Sequence, residues 1–114
     1  MMQITESQVL TELAHHIGRD NGIHVRELVR RITGQDAPCE PLERKVRDIV
    51  QALRMEGHHV CAHPAHGYFM AATVDELNAT CKYLHDRAMT SLSQIARMKN
   101  VSLPDLHGQL HLPT

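Results

Sequence analysis

Aromatic side chains are nearly missing: the 114 residues include two tyrosines, one phenylalanine and no tryptophan. A core without them has to be built from Leu, Val, Ile, Met and Ala, an inventory that suits packed helices. Long apolar runs are missing too. None approaches the roughly 20 residues that a membrane-spanning helix needs, so a membrane partner is not expected. The three cysteines, Cys39, Cys61 and Cys81, are odd in number and widely spaced, and no apolar signal segment precedes them. That favours a reduced, cytoplasmic protein over a disulfide framework. Catalytic signatures are equally scarce. There is no glycine-rich phosphate loop, "SLSQ" and "HHIG" are isolated fragments, and the adjacent His85 and Asp86 point in different directions on a helix. Neither an enzyme nor a bound cofactor is expected.

Net charge is also small, at −1. Any surface for nucleic acid must therefore come from a local asymmetry. Residues 19–54 contain eight basic and six acidic residues, a local excess of two positive charges that leaves the rest of the chain at −3.

What the chain does have is helical patterning with clear punctuation. Thr5 in "ITESQV" reads as an N-cap, with Gln8 completing a capping box and Ile4 and Val9 forming a hydrophobic staple. Val9, Leu10, Leu13 and Ile17 share one face, which predicts a first helix over about 6–17, with His15 and His16 on its exposed side and edge. A second helix is predicted from Val25, Leu28, Val29 and Ile32, closed by Gly34, with Ile23 in a short extended piece before it. Pro41 suits the first turn of a third helix running to about Met55. Its apolar face is Leu42, Val46, Ile49, Val50 and Leu53; Arg44, Arg47, Asp48, Gln51 and Met55 then point away. A second box, "TVDE", opens a long helix from Thr73 to about Lys99.

Between the third and the long helix lies "EGHHVCAHPAHGYFM", residues 56–70, read as a hairpin with Pro64 and Gly67 in its connection. His58 is placed to cap the third helix, Val60 to face inward and Cys61 to be half-buried. Strand alternation would put His59, Cys61 and His63 on one face with His66 across the turn, a donor set suited to zinc. No CxxC or HExxH spacing supports it, and with ten histidines in the chain such clusters arise by chance. No metal is therefore assigned.

The order of elements, carried by "GIHVRELVRRITG", "PLERKVRDIVQALRMEGHHV" and the hairpin ending in "GYFMAAT", resembles the winged helix-turn-helix proteins found among bacterial regulators and in phage and prophage genomes. The expected fold is mainly α with a small β-hairpin: a winged helix-turn-helix domain over 1–72, a long C-terminal helix over 73–100 and a tail over 101–114. The resemblance implies that the third helix enters the major groove of double-stranded DNA, supported by the second, with the hairpin as a wing. Arg44, Arg47 and Gln51 are then candidates for base contact and Lys45 for phosphate. Glu40, Glu43 and Asp48 on the same helix depart from a wholly basic face. Where the family often carries Lys or Arg at the wing tip, this chain has His63 and His66, which implies binding that strengthens below neutral pH. The implied role is transcriptional regulation or a phage-type accessory function.

Along the long helix Val74, Leu77, Cys81, Leu84, Ala88, Ser91, Ile95 and Met98 alternate steps of three and four residues, the spacing of a coiled-coil seam. It can fold over its own domain or pair with another copy. A homodimer is expected, with Leu77, Cys81, Leu84, Ala88 and Ile95 at its interface, reading a palindromic site. The alternative function is a protein–protein adaptor on the same scaffold, holding a partner through the third helix, Met55 and the leucine-bearing tail, without DNA binding.

Overall fold

The computed structural model describes residues 3–100 and is mainly helical, with four α-helices and one two-stranded antiparallel sheet. In chain order these are α1 (Glu6–Leu13), a 3₁₀ turn (Arg19–Asn21), α2 (Val25–Thr33), α3 (Glu40–Met55), β1 (Val60–His63), β2 (Gly67–Met70) and α4 (Val74–Lys99). The chain divides into two compact units, Met1–Thr80 and Cys81–Thr114, with the boundary inside α4. No helix among the described residues is long and apolar enough to cross a membrane. The expected tail lies outside the described residues.

The first unit is built around one apolar cluster. Ile4 and Val9 close the staple, and Leu13, Ile23, Leu28, Val29 and Val60 join the buried face of α3, namely Val46, Ile49, Val50 and Leu53. Each such side chain contributes about 1.5–3 kcal/mol on leaving water. Leu42 on α3 is only half-buried at the margin. The Thr5 capping box forms in full: the threonine Oγ1 accepts from the Gln8 N–H, and Gln8 Oε1 accepts from the Thr5 N–H.

Helix α1 stops at Leu13, four residues before the expected end. The backbone beyond it is claimed by the sheet, since Gly18 N–H donates to Met70 O and Met70 N–H donates to His16 O, each at 2.8 Å. This also explains why His16 is buried, with 9% of its surface exposed, rather than sitting at a helix edge. Its Nδ1 lies 2.8 Å from Asn21 O and its Nε2 2.9 Å from a Glu12 carboxylate oxygen. Both ring nitrogens thus face oxygen atoms. For Glu12, burial pushes the carboxyl upward, but hydrogen bonding and charge from His16, joined by Arg31, more than offset it and hold the group below its usual range.

Helix α3 ends in a Schellman motif: Gly57, at φ 94°, lets His58 N–H reach Leu53 O at 3.0 Å and its own N–H reach Arg54 O at 3.0 Å. His58 thus caps α3 through its backbone. The hairpin pairs Val60 with Met70, Cys61 with Phe69, Ala62 with Tyr68 and His63 with Gly67. Val60, Tyr68 and Met70 pack on the core cluster. Cys61, expected half-buried, is fully buried, because its face of the hairpin meets the first turns of α4: the thiol lies 3.6 Å from Glu76 O.

Both edges of the sheet are occupied. Beyond β2, Ile23 exchanges two backbone hydrogen bonds of 2.8 Å with Tyr68, and Ile17 bridges Met70. Beyond β1, Arg54 Nε donates to Val60 O at 2.8 Å, and Thr80 Oγ1 accepts from Ala62 N–H at 3.4 Å. The close approach of the Ile23 segment requires glycine at two places. A Cβ on Gly67, which also has φ 79°, would stand 2.4 Å from Ile23 O, and one on Gly22 would stand 2.1 Å from His66 O.

Candidate nucleic-acid interface

Because α3 sinks one face into the core, its opposite face is presented to solvent as a continuous stripe. Arg44, Arg47, Asp48, Gln51 and Met55 recur along it at helical spacing, and all are exposed. Lys45, also exposed, lies at the flank. Arg44 and Lys45 have no ion-pair partner among the described residues. Arg47 has a weak one, with Nη2 3.8 Å from Glu43 Oε1. Glu43 is thereby turned onto Arg47, while Asp48 stays on the stripe as a negative charge.

Several of the basic residues of 19–54 are engaged within the chain rather than left unpaired. Arg30 makes two hydrogen bonds to Glu27, and Arg31 bridges Glu27 and Glu12 at 3.3 and 3.4 Å. The hydrogen bond from Arg30, reinforced by Arg31, holds the Glu27 carboxyl at about 2. Arg54 is committed to β1 through its bond to Val60 O. A charge count along the sequence does not say which of these arginines are free to meet a partner. Their carboxylate partner on α2, Glu27, three residues before Arg30 and four before Arg31, is the signal that two of them are not.

At the hairpin turn, His63 and His66 are half-buried, with ring centroids 5.0 Å apart. His63 Nδ1 accepts from Ala65 N–H at 3.1 Å, which leaves Nε2–H as the outward donor.

The zinc donor set does not assemble. Among the described residues no three His, Cys, Asp or Glu side chains come together to hold a metal. Cys61 is buried toward Glu76, His63 turns to Ala65, and His59 is exposed just before the strand. The hairpin therefore brings together only His63 and His66 of the four. No family model, curated protein or solved structure matches this chain.

The seam residues Cys81, Leu84 and Ala88 are exposed, while Leu77 and Ile95 are half-buried. One residue absent from the expected sites has a clear structural role. The "TVDE" spacing predicts a reciprocal box between Thr73 and Glu76, and Thr73 Oγ1 does accept from Glu76 N–H at 3.1 Å. The Glu76 carboxylate accepts from the N–H of Ala72 at 2.8 Å and of Arg19 at 3.1 Å. Those two backbone donors, Ala72 first, hold its pKa below the ordinary carboxylate value.

Proposed function

We propose that this chain is a winged helix-turn-helix protein that binds double-stranded DNA sequence-specifically, with α3 in the major groove, α2 supporting it across the turn, and the β1–β2 hairpin along the adjoining backbone. The observation that carries this reading is the α3 stripe: Arg44, Arg47 and Gln51 stand exposed on one line of a helix whose opposite face is anchored in the core. Arginine pairs with guanine N7 and O6, and glutamine with adenine N6 and N7, so the stripe has the donors that base edges require. Lys45 takes a phosphate, and His63 Nε2–H and His66 offer further donors at the hairpin turn. Pairing through Leu77, Cys81, Leu84, Ala88 and Ile95 on α4 joins two such chains on a palindromic site and compensates for the few positive charges on each. Transcriptional regulation or a phage-type accessory role follows from the resemblance. No catalytic step belongs to this reading.

The test is fluorescence anisotropy on duplex DNA across a salt titration. Affinity should fall steeply as salt rises, through counterion release. The double variant Arg44→Ala, Arg47→Ala should lose binding while its unfolding free energy stays within about 0.5 kcal/mol of the parent, because exposed charges contribute little to folding. Unchanged affinity in that variant would refute the groove assignment. A second reading, an adaptor for a protein partner, is favoured by Asp48 on the stripe and by Met55, 88% exposed at its end. Absence of duplex binding even at low salt would select it.

A further inference from the structure

Three acidic residues lie on α3, and two of them are accounted for within the helix. Glu40 is in the first turn, where the helix dipole favours a negative charge. Glu43, half-buried, is turned onto Arg47. Asp48 has neither arrangement: it is exposed in mid-helix, beyond the first turn. Arg44 and Lys45 stand four and three positions before it, the spacing at which ion pairs form on a helix, yet Asp48 has no ion-pair partner among the described residues. At about 100° per residue it lies roughly 40° around the helix from Arg44 and 60° from Gln51. The three span about 10 Å along the axis, close to three base-pair steps. A carboxylate that merely faced DNA would repel phosphates and weaken binding to every sequence alike. One that meets a matching base edge contributes to the choice among sequences.

We propose that Asp48 is a specificity-determining residue, its carboxylate accepting a hydrogen bond from the N4 amine of a cytosine in the major groove, next to the bases read by Arg44 and Gln51. This rests on the duplex-binding reading above and names part of the sequence that the site takes. A carboxylate only accepts hydrogen bonds. Guanine presents N7 and O6, both acceptors, and thymine presents O4 and a methyl group. Adenine has a donor at N6, but it lies between two acceptors, its own N7 and O4 of the paired thymine. Cytosine alone presents its donor, N4, beside an apolar C5 edge. Asp48 therefore favours a C·G pair and penalises the alternatives, each of which leaves a desolvated carboxylate against acceptors. The same charge lowers affinity for sequences that lack the cytosine, so an acid on the stripe raises the ratio of specific to nonspecific binding.

The test is selection of duplexes from a random library by the full chain, followed by anisotropy on the selected duplex and on its single-base-pair variants. The unmodified chain should prefer C·G at one position by about 5–10-fold over the other pairs. Asp48→Ala should lose that preference at that position alone and bind mixed-sequence DNA more tightly than the parent, because the repulsion from phosphates is gone. Asp48→Asn should move the preference from cytosine to adenine, since an amide both donates and accepts and pairs with adenine N6 and N7. A purely structural role for Asp48 would instead lower affinity for all sequences equally, and that result would overturn the proposal. An unchanged base preference in both variants would also overturn it, and in either case salt-dependent duplex binding by the parent would leave α3 in the groove. No duplex binding by the unmodified chain, even at low salt, would overturn this proposal together with the reading on which it rests.

Discussion

Leu28 and Leu84 occupy comparable places in helical patterns of the same kind, yet Leu28 is fully buried and Leu84 keeps 39% of its surface exposed. In the unit Met1–Thr80, the apolar positions that helical spacing assigns within α1, α2 and α3 are all buried or half-buried; Ile17, which is exposed, falls beyond the end of α1. In the unit Cys81–Thr114 the same periodicity runs through Cys81, Leu84 and Ala88 in the open. Periodicity thus identifies the face that gains from burial without saying which surface covers it. In the first unit other helices and the hairpin do so within one chain. In the second, Ala96 is buried and Leu92 and Ile95 are half-buried, while Leu84 and Ala88 stay exposed.

The largest expected effect breaks the comparison at its two leucines. Leu28→Ala should lower unfolding stability by about 3 kcal/mol, since it empties a filled core site. Leu84→Ala at concentrations where the chain is monomeric should cost under about 0.5 kcal/mol, as for other exposed substitutions. Urea unfolding measures both. Equal losses would mean that α4 is covered within its own chain.

A finer contrast lies between two glycines with nearly the same backbone. At Gly34, φ 78°, a Cβ would meet nothing within 4 Å, whereas at Gly67, φ 79°, it would meet the Ile23 carbonyl oxygen at 2.4 Å. Alanine at Gly34 should cost about 1 kcal/mol for the left-handed backbone alone. At Gly67 the clash adds to that, for about 2–3 kcal/mol in total. If thermal unfolding placed the two variants together, the close fit of the hairpin against Ile23 would not matter to stability.

The smallest effect is on pH dependence. Glu27, Glu12 and Glu76 all have folded-state pKa values below the ordinary 4.5, with Glu27 at about 2. A carboxyl lowered on folding stabilises the native state fully above its unfolded pKa, and that contribution disappears as pH falls through the folded value. Melting temperature should therefore decline as pH drops from about 4.5 toward 2, and Glu76→Gln should flatten part of the decline. An identical slope in the variant would show that the bonds to Ala72 and Arg19 do not couple to folding.

The fold is legible in the sequence where local rules agree with the tertiary outcome. "TESQ" specifies the cap of α1, Gly34 the end of α2, and the apolar face of α3 can be read residue by residue. It is illegible where a distant backbone intervenes. The end of α1 moves because Met70 captures the main chain at His16 and Gly18, and the Glu76 carboxylate also accepts from an N–H 57 residues away. The candidate interface is legible in its stripe. The commitment of Arg54 to Val60 O is not, because that arginine fits either a solvent face or a cap on the neighbouring strand.

The Arg54 and Thr80 contacts on β1, with the Ile17 and Ile23 bridges on β2, leave this two-stranded sheet without a free margin. An open strand edge is a template on which further strands, native or misfolded, can assemble. With backbone groups on both sides already engaged, this sheet does not offer that template, and any pairing of two chains is left to other surfaces.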